Sequence, residues 1–175
     1  NISEFKLLLA RSEFTPKEIL EVLAKDKNFD VRISVAQNPM TPKEILELLA
    51  KNKNKDELYI CVSVARNPNT SKEILEVLAK NEESWVRESV AINPNASKEI
   101  LEILAKDEEW RIRSNVTRNP NTSKEILEIL AKDENIYVRA SVVNNLKTSK
   151  EILEILSKDE DLYVHAFIVC SNRDS

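Results

Sequence analysis

The tripeptide Glu-Ile-Leu starts at Glu18, Glu44, Glu73, Glu99, Glu125 and Glu151, and this recurrence constrains the fold more than any other feature of the chain. Successive starts lie 26, 29, 26, 26 and 26 residues apart. The longer interval carries three extra residues within Lys51–Glu57, which read as a loop insertion. Each unit runs roughly Thr-Ser/Pro-Lys-Glu-Ile-Leu-Glu-Ile-Leu-Ala-Lys-Asp, then a short polar link, then Tyr-Val-Arg-x-Ser-Val-Ala-x-Asn-Pro. A unit this short cannot bury its apolar faces alone. Stacking identical neighbours side by side buries them continuously, which is the logic of a solenoid.

The first half of each unit reads as a helix with legible ends. Thr41 stands at the N-cap, Pro42 at N1 and Glu44 at N3, a capping box that satisfies two orphan amides reciprocally. Thr15/Glu18, Thr70/Glu73, Thr122/Glu125 and Thr148/Glu151 repeat it. Ala96 breaks the pattern once and predicts a helix start weaker by ~1 kcal/mol. Within the helix, Ile126, Leu127, Ile129, Leu130 and Ala131 cover most of the circumference, and Lys124, Glu125, Glu128 and Lys132 form a polar stripe. Such a helix is expected to bury a wide face and expose one narrow ridge.

The second half is shorter, for example Tyr137–Asn144. Its apolar positions Val138 and Val142 are four apart, which suits a helix better than a strand. Its β-branched residues lower helix propensity, so a partly 3₁₀ conformation is open. Asn-Pro at Asn38, Asn67, Asn93 and Asn119 marks its end: asparagine tolerates a left-handed C-cap, and proline cannot continue a helix. The fold class expected is all-α, an α-solenoid of about six 26-residue two-helix repeats. One domain over 1–175 divides into a half-unit 1–14 and repeats 15–40, 41–69, 70–95, 96–121, 122–147 and 148–175. Residues 1–14 resemble a degenerate second helix, with Phe5, Leu9 and Ala10 at the apolar positions. Both ends read as half-units and no initiator methionine is present, so a longer native array is expected.

Composition narrows the function. Glycine is absent, where an average chain of this length carries about a dozen. The phosphate-binding loop, the dinucleotide fingerprint, the nucleophile elbow and the EF-hand loop all need glycine. One histidine and two cysteines leave no conventional zinc or iron–sulfur ligand set, so no cofactor and no metal are expected. Lys plus Arg is 26 against 30 for Asp plus Glu, a net charge of −4 that disfavours a dedicated nucleic-acid binder. No apolar run approaches the ~18 residues of a membrane span, and the N-terminus lacks a signal-peptide pattern. Two cysteines are too few for a disulfide framework, and a cytoplasmic location is expected.

The pattern Leu-Ala-Lys-Asp-Glu-x-x-x-Val-Arg-x-x-Val resembles HEAT-like helical repeats. The short period and the Asn-Pro-Asn-Thr link are similar to the leucine-rich repeat variant family, over nearly the whole chain. The unit is somewhat longer than that family's usual repeat. The resemblance implies a right-handed superhelix, with second helices lining the concave side. It also implies an iron–sulfur region elsewhere in the family, for which this chain has no matching cysteine cluster.

Two kinds of column carry candidate chemistry. The first pairs Arg32, Arg87, Arg113 and Arg139 with Asp26, Asp107, Asp133 and Asp159. Cys61 and His165 occupy the Arg slot elsewhere, and Asn52 and Asn81 the acidic one. A phosphate-binding row is one reading. An internal Asp–Arg ladder tying adjacent turns is the favoured one, because a residue repeated at one slot in unit after unit suits structure. The carboxylate pairs such as Glu18 and Glu21 recur in every unit and read as a solvated ridge with Lys partners, as in Glu21/Lys25. His165 and Cys170 lie roughly 140° apart around a helix, outside easy hydrogen-bond reach, so neither is expected to be a nucleophile. Cys61 and Cys170 lie too far apart in the array for a disulfide.

The second kind varies between otherwise similar units. Three slots at i, i+3 and i+7 of the second helix read Asp30, Ile33, Gln37; Tyr59, Val62, Arg66; Trp85, Glu88, Ile92; Arg111, Ser114, Arg118; Tyr137, Ala140, Asn144; and Tyr163, Ala166, Cys170. They collect Trp, Tyr and Arg, the residue types enriched at interface hot spots. The expected function is a non-catalytic protein-interaction scaffold binding an extended peptide or helix along these second helices. Tyr59, Val62, Arg66, Trp85, Glu88, Ile92, Arg111, Arg118, Tyr137, Asn144 and Tyr163 form the expected contact set. Two alternatives stay open. One is nucleic-acid contact through Arg66, Arg111 and Arg118, marked by steep salt dependence. The other is a structural array that self-associates end to end. No membrane partner is expected.

Overall fold

Each Glu-Ile-Leu run forms the first helix of a unit, and each Val-rich run forms the second. The computed structural model describes residues 2–51 and 58–171, and all its regular elements are α-helical. In chain order these are α1 Ile2–Arg11, α2 Lys17–Leu23, α3 Phe29–Gln37, α4 Lys43–Ala50, α5 Leu58–Arg66, α6 Lys72–Leu78 and α7 Ser84–Ala91. They continue as α8 Lys98–Leu104, α9 Trp110–Arg118, α10 Lys124–Leu130, α11 Ile136–Val143, α12 Lys150–Leu156 and α13 Leu162–Ser171. Even-numbered helices are first helices and odd-numbered ones second helices. The second helices are α rather than 3₁₀. The inserted residues after Lys51 lie outside the described residues.

The chain divides into two compact segments, Asn1–Asn95 and Ala96–Ser175. In the first, α1 packs on α3, α3 on α5 and α5 on α7, while α2, α4 and α6 pack on the second helices around them. Its core holds Leu20, Leu46 and Leu75 from the first helices and Val31, Ile60 and Val86 from the second. In the other segment α9 packs on α11 and α11 on α13, with α8, α10 and α12 alongside. Leu101, Leu127, Ile112, Val138 and Val164 fill its core. Full burial of each such side chain contributes ~1.5–3 kcal/mol, which is how helices of only seven residues persist. The architecture is an all-α repeat solenoid. The helix α1 makes contacts like those of the second helices. Lys6 stands in the Arg slot and bonds Asp26 at 2.5 Å, and the Thr15 hydroxyl donates to the Leu9 carbonyl at 2.6 Å. Phe5 occupies a slot that is buried in every later unit, yet it is 62% exposed.

Several local expectations are corrected. Serine, one residue after the threonine, is the N-cap: the Oγ atoms of Ser71, Ser97, Ser123 and Ser149 accept from the amides of Ile74, Ile100, Ile126 and Ile152. In α2 and α4, Pro16 and Pro42 stand at that position and supply no side-chain cap. Ala96 therefore does not weaken the start of α8, which Ser97 caps like its neighbours. The threonines do a different job. The hydroxyls of Thr41, Thr70 and Thr148 donate to the carbonyls of Val35, Val64 and Val142 at 2.5–2.6 Å, and Thr122 does the same to Val116. Each thus satisfies an orphan carbonyl in the last turn of the preceding second helix.

Asparagine does not act as a left-handed stop. Among the described residues no φ is positive, and Asn38 has φ −68° and ψ 121°. Its buried side chain is instead a bridge. Asn38 Nδ2 donates to the carbonyls of Ala10 and Ser12, both at 2.9 Å, and Oδ1 accepts from the Met40 amide at 2.8 Å. Asn67 donates to Ala36 and to Asn38 itself, both at 2.8 Å. Asn93 donates to Ala65 at 2.6 Å and to Asn67 at 3.1 Å. In these three cases one amide group stitches a unit to its predecessor and satisfies two backbone acceptors there.

The first helices also bury less than their apolar letters suggest. Val22, Val77, Ile103, Ile129 and Ile155 all stand exposed, because the neighbouring second helices cover only the face carrying Leu20, Leu75, Leu101, Leu127 and Leu156.

Candidate interaction face

The variable slots sit on the second helices, and their exposure follows from helix packing. The first slot points outward in every unit: Asp30, Tyr59, Trp85, Arg111, Tyr137 and Tyr163 are all exposed. The third slot is exposed at Gln37, Arg66, Ile92, Arg118 and Asn144, while the Cys170 side chain lies outside the described residues. The middle slot is less exposed in most units, and Ala166 in the last one is open. Ile33, Val62 and Glu88 are half-buried there, and Ser114 and Ala140 are buried.

In the first segment these slots converge on a groove of ≈ 340 Å³ lined by Ile33, Gln37, Tyr59, Val62, Ser63, Arg66, Asn67 and Pro68. Ile33, Val62 and the Tyr59 ring give it apolar walls. The Phe29 ring meets Tyr59 edge-on, with centroids 6.5 Å apart, and steadies it. Arg66 closes one side, its Nε donating to Ser89 Oγ at 3.2 Å. Ser89 Oγ in turn donates to the Trp85 carbonyl at 2.8 Å. Trp85 is 67% exposed, and no ring packs against it among the described residues.

In the second segment Tyr137 and Tyr163 of the first slot join two neighbouring rings in a row. Trp110 lies 5.2 Å from Tyr137, Tyr137 lies 5.5 Å from Tyr163, and Tyr163 lies 5.1 Å from Phe167. The Arg111 guanidinium sits over the Trp110 ring, 5.0 Å from its centroid. Phe29, Trp110 and Phe167 were not among the candidates. Two of them occupy the slot just before the variable one, where the letters Phe29, Leu58, Ser84, Trp110, Ile136 and Leu162 give the only sequence signal.

The Arg and Asp columns lie inward of this face. Arg113 forks onto Asp133, Nε to Oδ2 at 2.7 Å and Nη2 to Oδ1 at 2.8 Å. Arg139 does the same to Asp159 at 2.6 and 3.0 Å. Each arginine also donates Nη1 to the backbone of its own unit, Arg113 to Asp107 at 2.8 Å and Arg139 to Asp133 at 2.9 Å. Arg32 and Arg87 make the same backbone contact, to Asp26 at 2.7 Å and Asn81 at 2.9 Å. The Arg139 fork holds the Asp159 carboxyl below the usual carboxylate range, and Lys6 does this for Asp26. In the Arg slot of its own unit, Cys61 is buried, and the His165 Nε2 has no hydrogen-bond partner among the described residues.

The carboxylates of the first helices form a solvated ridge. Glu21 meets Lys25 at 3.5 Å, Lys17 meets Glu44 at 3.6 Å and Lys98 meets Glu125 at 3.2 Å. Glu125 is drawn down to about 2 by the Ser123 hydroxyl first, then by its own amide and by Lys98. It is fully open to water, so this is a capping interaction and not a catalytic perturbation. Among the described residues, no group of three or more His, Cys, Asp or Glu side chains is placed to hold a metal ion, and no helix is long and apolar enough to cross a membrane.

Comparison with solved structures finds a likeness over 94% of the chain to a protein described as a leucine-rich repeat variant with a novel repetitive protein structural motif. Sequence identity is 25%, the TM-score is 0.68, and the present chain spans 64% of the length of that one. The resemblance read from the repeat is the likeness the structure shows. No protein-family model and no curated protein matches the chain.

Proposed function

We propose that the chain is a non-catalytic protein-interaction scaffold that binds an extended peptide or helix along the exposed face of its second helices. The groove of ≈ 340 Å³ carries this reading: Ile33, Gln37, Tyr59, Val62 and Arg66, all from variable slots, line it together. That size lies at the small end of the range for ligand clefts, ~300–1,000 Å³, and suits one or two side chains of a longer partner. Apolar walls with a single cationic side match the pattern of interface anchors. In the other segment the exposed row of Tyr137 and Tyr163 offers rigid rings at little entropic cost.

The test is a pull-down from nuclease-treated lysate, run with wild type and with a Tyr59→Asp/Tyr137→Asp double variant. Both positions are exposed and outside the leucine core, so the variant is expected to keep its helical circular-dichroism spectrum. A protein retained by wild type and lost by the variant is the expected result. Equal retention by both would remove the face from consideration.

A further inference from the structure

The two arginines at the third slot of the first segment share an arrangement that the scaffold reading alone does not explain. Arg66 Nε donates to Ser89 Oγ at 3.2 Å, and Arg11 Nε donates to Ser34 Oγ at 3.4 Å. Each serine belongs to the next second helix and stands 23 residues further on. Ser89 spends its own proton on the Trp85 carbonyl, so its oxygen is committed to receiving the arginine. The guanidinium is thereby oriented through its inner nitrogen, and the terminal nitrogens of Arg66 are left for a ligand at the groove it lines. No carboxylate lines that groove, and neither arginine has an ion-pair partner among the described residues. Acidic residues outnumber basic ones 30 to 26, and lysines of the first-helix ridge such as Lys17, Lys98 and Lys124 reach a glutamate.

We infer that the face of the first segment binds an extended peptide carrying two carboxylates, one on Arg11 and one on Arg66, with an apolar side chain in the groove of Ile33, Tyr59 and Val62. This rests on the scaffold reading above and names the chemistry of its partner. The fork of an arginine pairs a carboxylate at two points, and a fork held in advance loses less freedom on binding. Arg11, Gln37 and Arg66 lie on three successive second helices, α1, α3 and α5. Neighbouring helices sit ~8–10 Å apart, which places the two arginines ~16–20 Å from each other. An extended chain rises ~3.3 Å per residue, so the matching carboxylates are about five or six residues apart. A phosphate backbone fits less well. The intervening rung carries neutral Gln37, the groove walls are apolar, and the Tyr59 ring is packed on Phe29.

The experiment is an array of immobilised random peptides of about twelve residues, long enough to span both arginines. It is probed with the wild-type chain, and the best binder is then measured by fluorescence anisotropy. The expected selection is rich in Asp and Glu at a spacing of about five or six, with an apolar residue between them. Arg66→Met is expected to weaken binding about tenfold or more, and Arg66→Lys to retain part of it. Ser89→Ala, which leaves the charge in place, is expected to weaken binding about threefold through lost positioning. With a peptide whose carboxylates are replaced by amides, Ser89→Ala and wild type are expected to bind alike, which a merely structural serine would not produce. Peptides selected without acidic residues, and lost in Tyr59→Asp, would overturn the acidic partner while leaving the scaffold. Selection of no peptide would overturn both. Tighter binding of a single-stranded DNA oligomer, lost in Arg66→Met, would replace the peptide by a phosphate backbone. Self-association abolished by Arg66→Met would replace it by a second copy of the chain.

Discussion

The segments before and after Asn95 repeat one unit, yet they use its variable positions differently. Before Asn95, the middle slot holds Ile33, Val62 and Glu88, and the serines of the following second helices are free to receive Arg11 and Arg66. After it, Ser114 stands in the middle slot and bonds Ser141 Oγ at 2.8 Å. Ser141 is the equivalent of Ser89, so Arg118 has no serine to hold it. The rungs differ as well. Asp26 receives a lysine as a point charge, whereas Asp133 and Asp159 each receive an arginine fork. The bridges differ too: Asn67 donates to two carbonyls, but half-buried Asn145 donates to one, that of Thr117, at 2.5 Å. The leucine core is the same in both. Constant slots thus carry the fold, and a single change in a variable slot reassigns the side chains around it.

The comparison breaks first if the cores are unequal. Leu75→Ala and Leu101→Ala remove equally buried side chains, each 0% exposed, and each is expected to cost ~2–5 kcal/mol in denaturant unfolding. A difference between them beyond ~1 kcal/mol would mean that one segment relaxes around the cavity and the other does not. The bridges come next. Asn67→Ala strands two buried carbonyls and an amide and is expected to cost ~2–4 kcal/mol, while Asn145→Ala is expected to cost ~1–2 kcal/mol. Equal losses would show that the second bond adds nothing.

The rungs give the smallest difference. Arg139→Met is expected to cost ~1–2 kcal/mol at neutral pH and Lys6→Met under ~1 kcal/mol, since Lys6 is partly in water. Both depend on carboxyls whose folded pKa is depressed below the unfolded value of ~3.9. The stabilisation is therefore complete above that value and is lost as pH falls through the folded one. Melting points measured from neutral to strongly acid pH are expected to show each variant converging on wild type only in that acid window. A gap that persists there would locate the effect in packing.

The repeat and its two helices were legible in the sequence, because Glu-Ile-Leu and Val-x-x-x-Val encode spacing directly. The functions of single polar residues were not. Thr-Ser-Lys-Glu fits a cap at either hydroxyl, and only backbone geometry assigns it to serine. Asn-Pro reads as a chain stop, and nothing local reveals that Asn67 reaches back 29 residues to Asn38. The exposure of Val77 and Ile129 was hidden because apolar letters carry no record of which face a neighbour covers. Exposed variable slots were readable by position. Their convergence into a groove at Tyr59 and Arg66, and the serine that orients that arginine, depend on pairs 23 or more residues apart.

The asparagine bridges also act as a gauge. Asn67 spans 29 residues to reach Asn38, and Asn93 spans 26 to reach Asn67, yet the contacts are 2.8 and 3.1 Å and nearly alike. The extra residues between α4 and α5 therefore leave the step from one unit to the next unchanged. Lengthening such a link costs only about 0.6 kcal/mol per doubling when it takes no part in the packing. Units of unequal length thus share one register, set by a side-chain amide and not by the number of residues in the link.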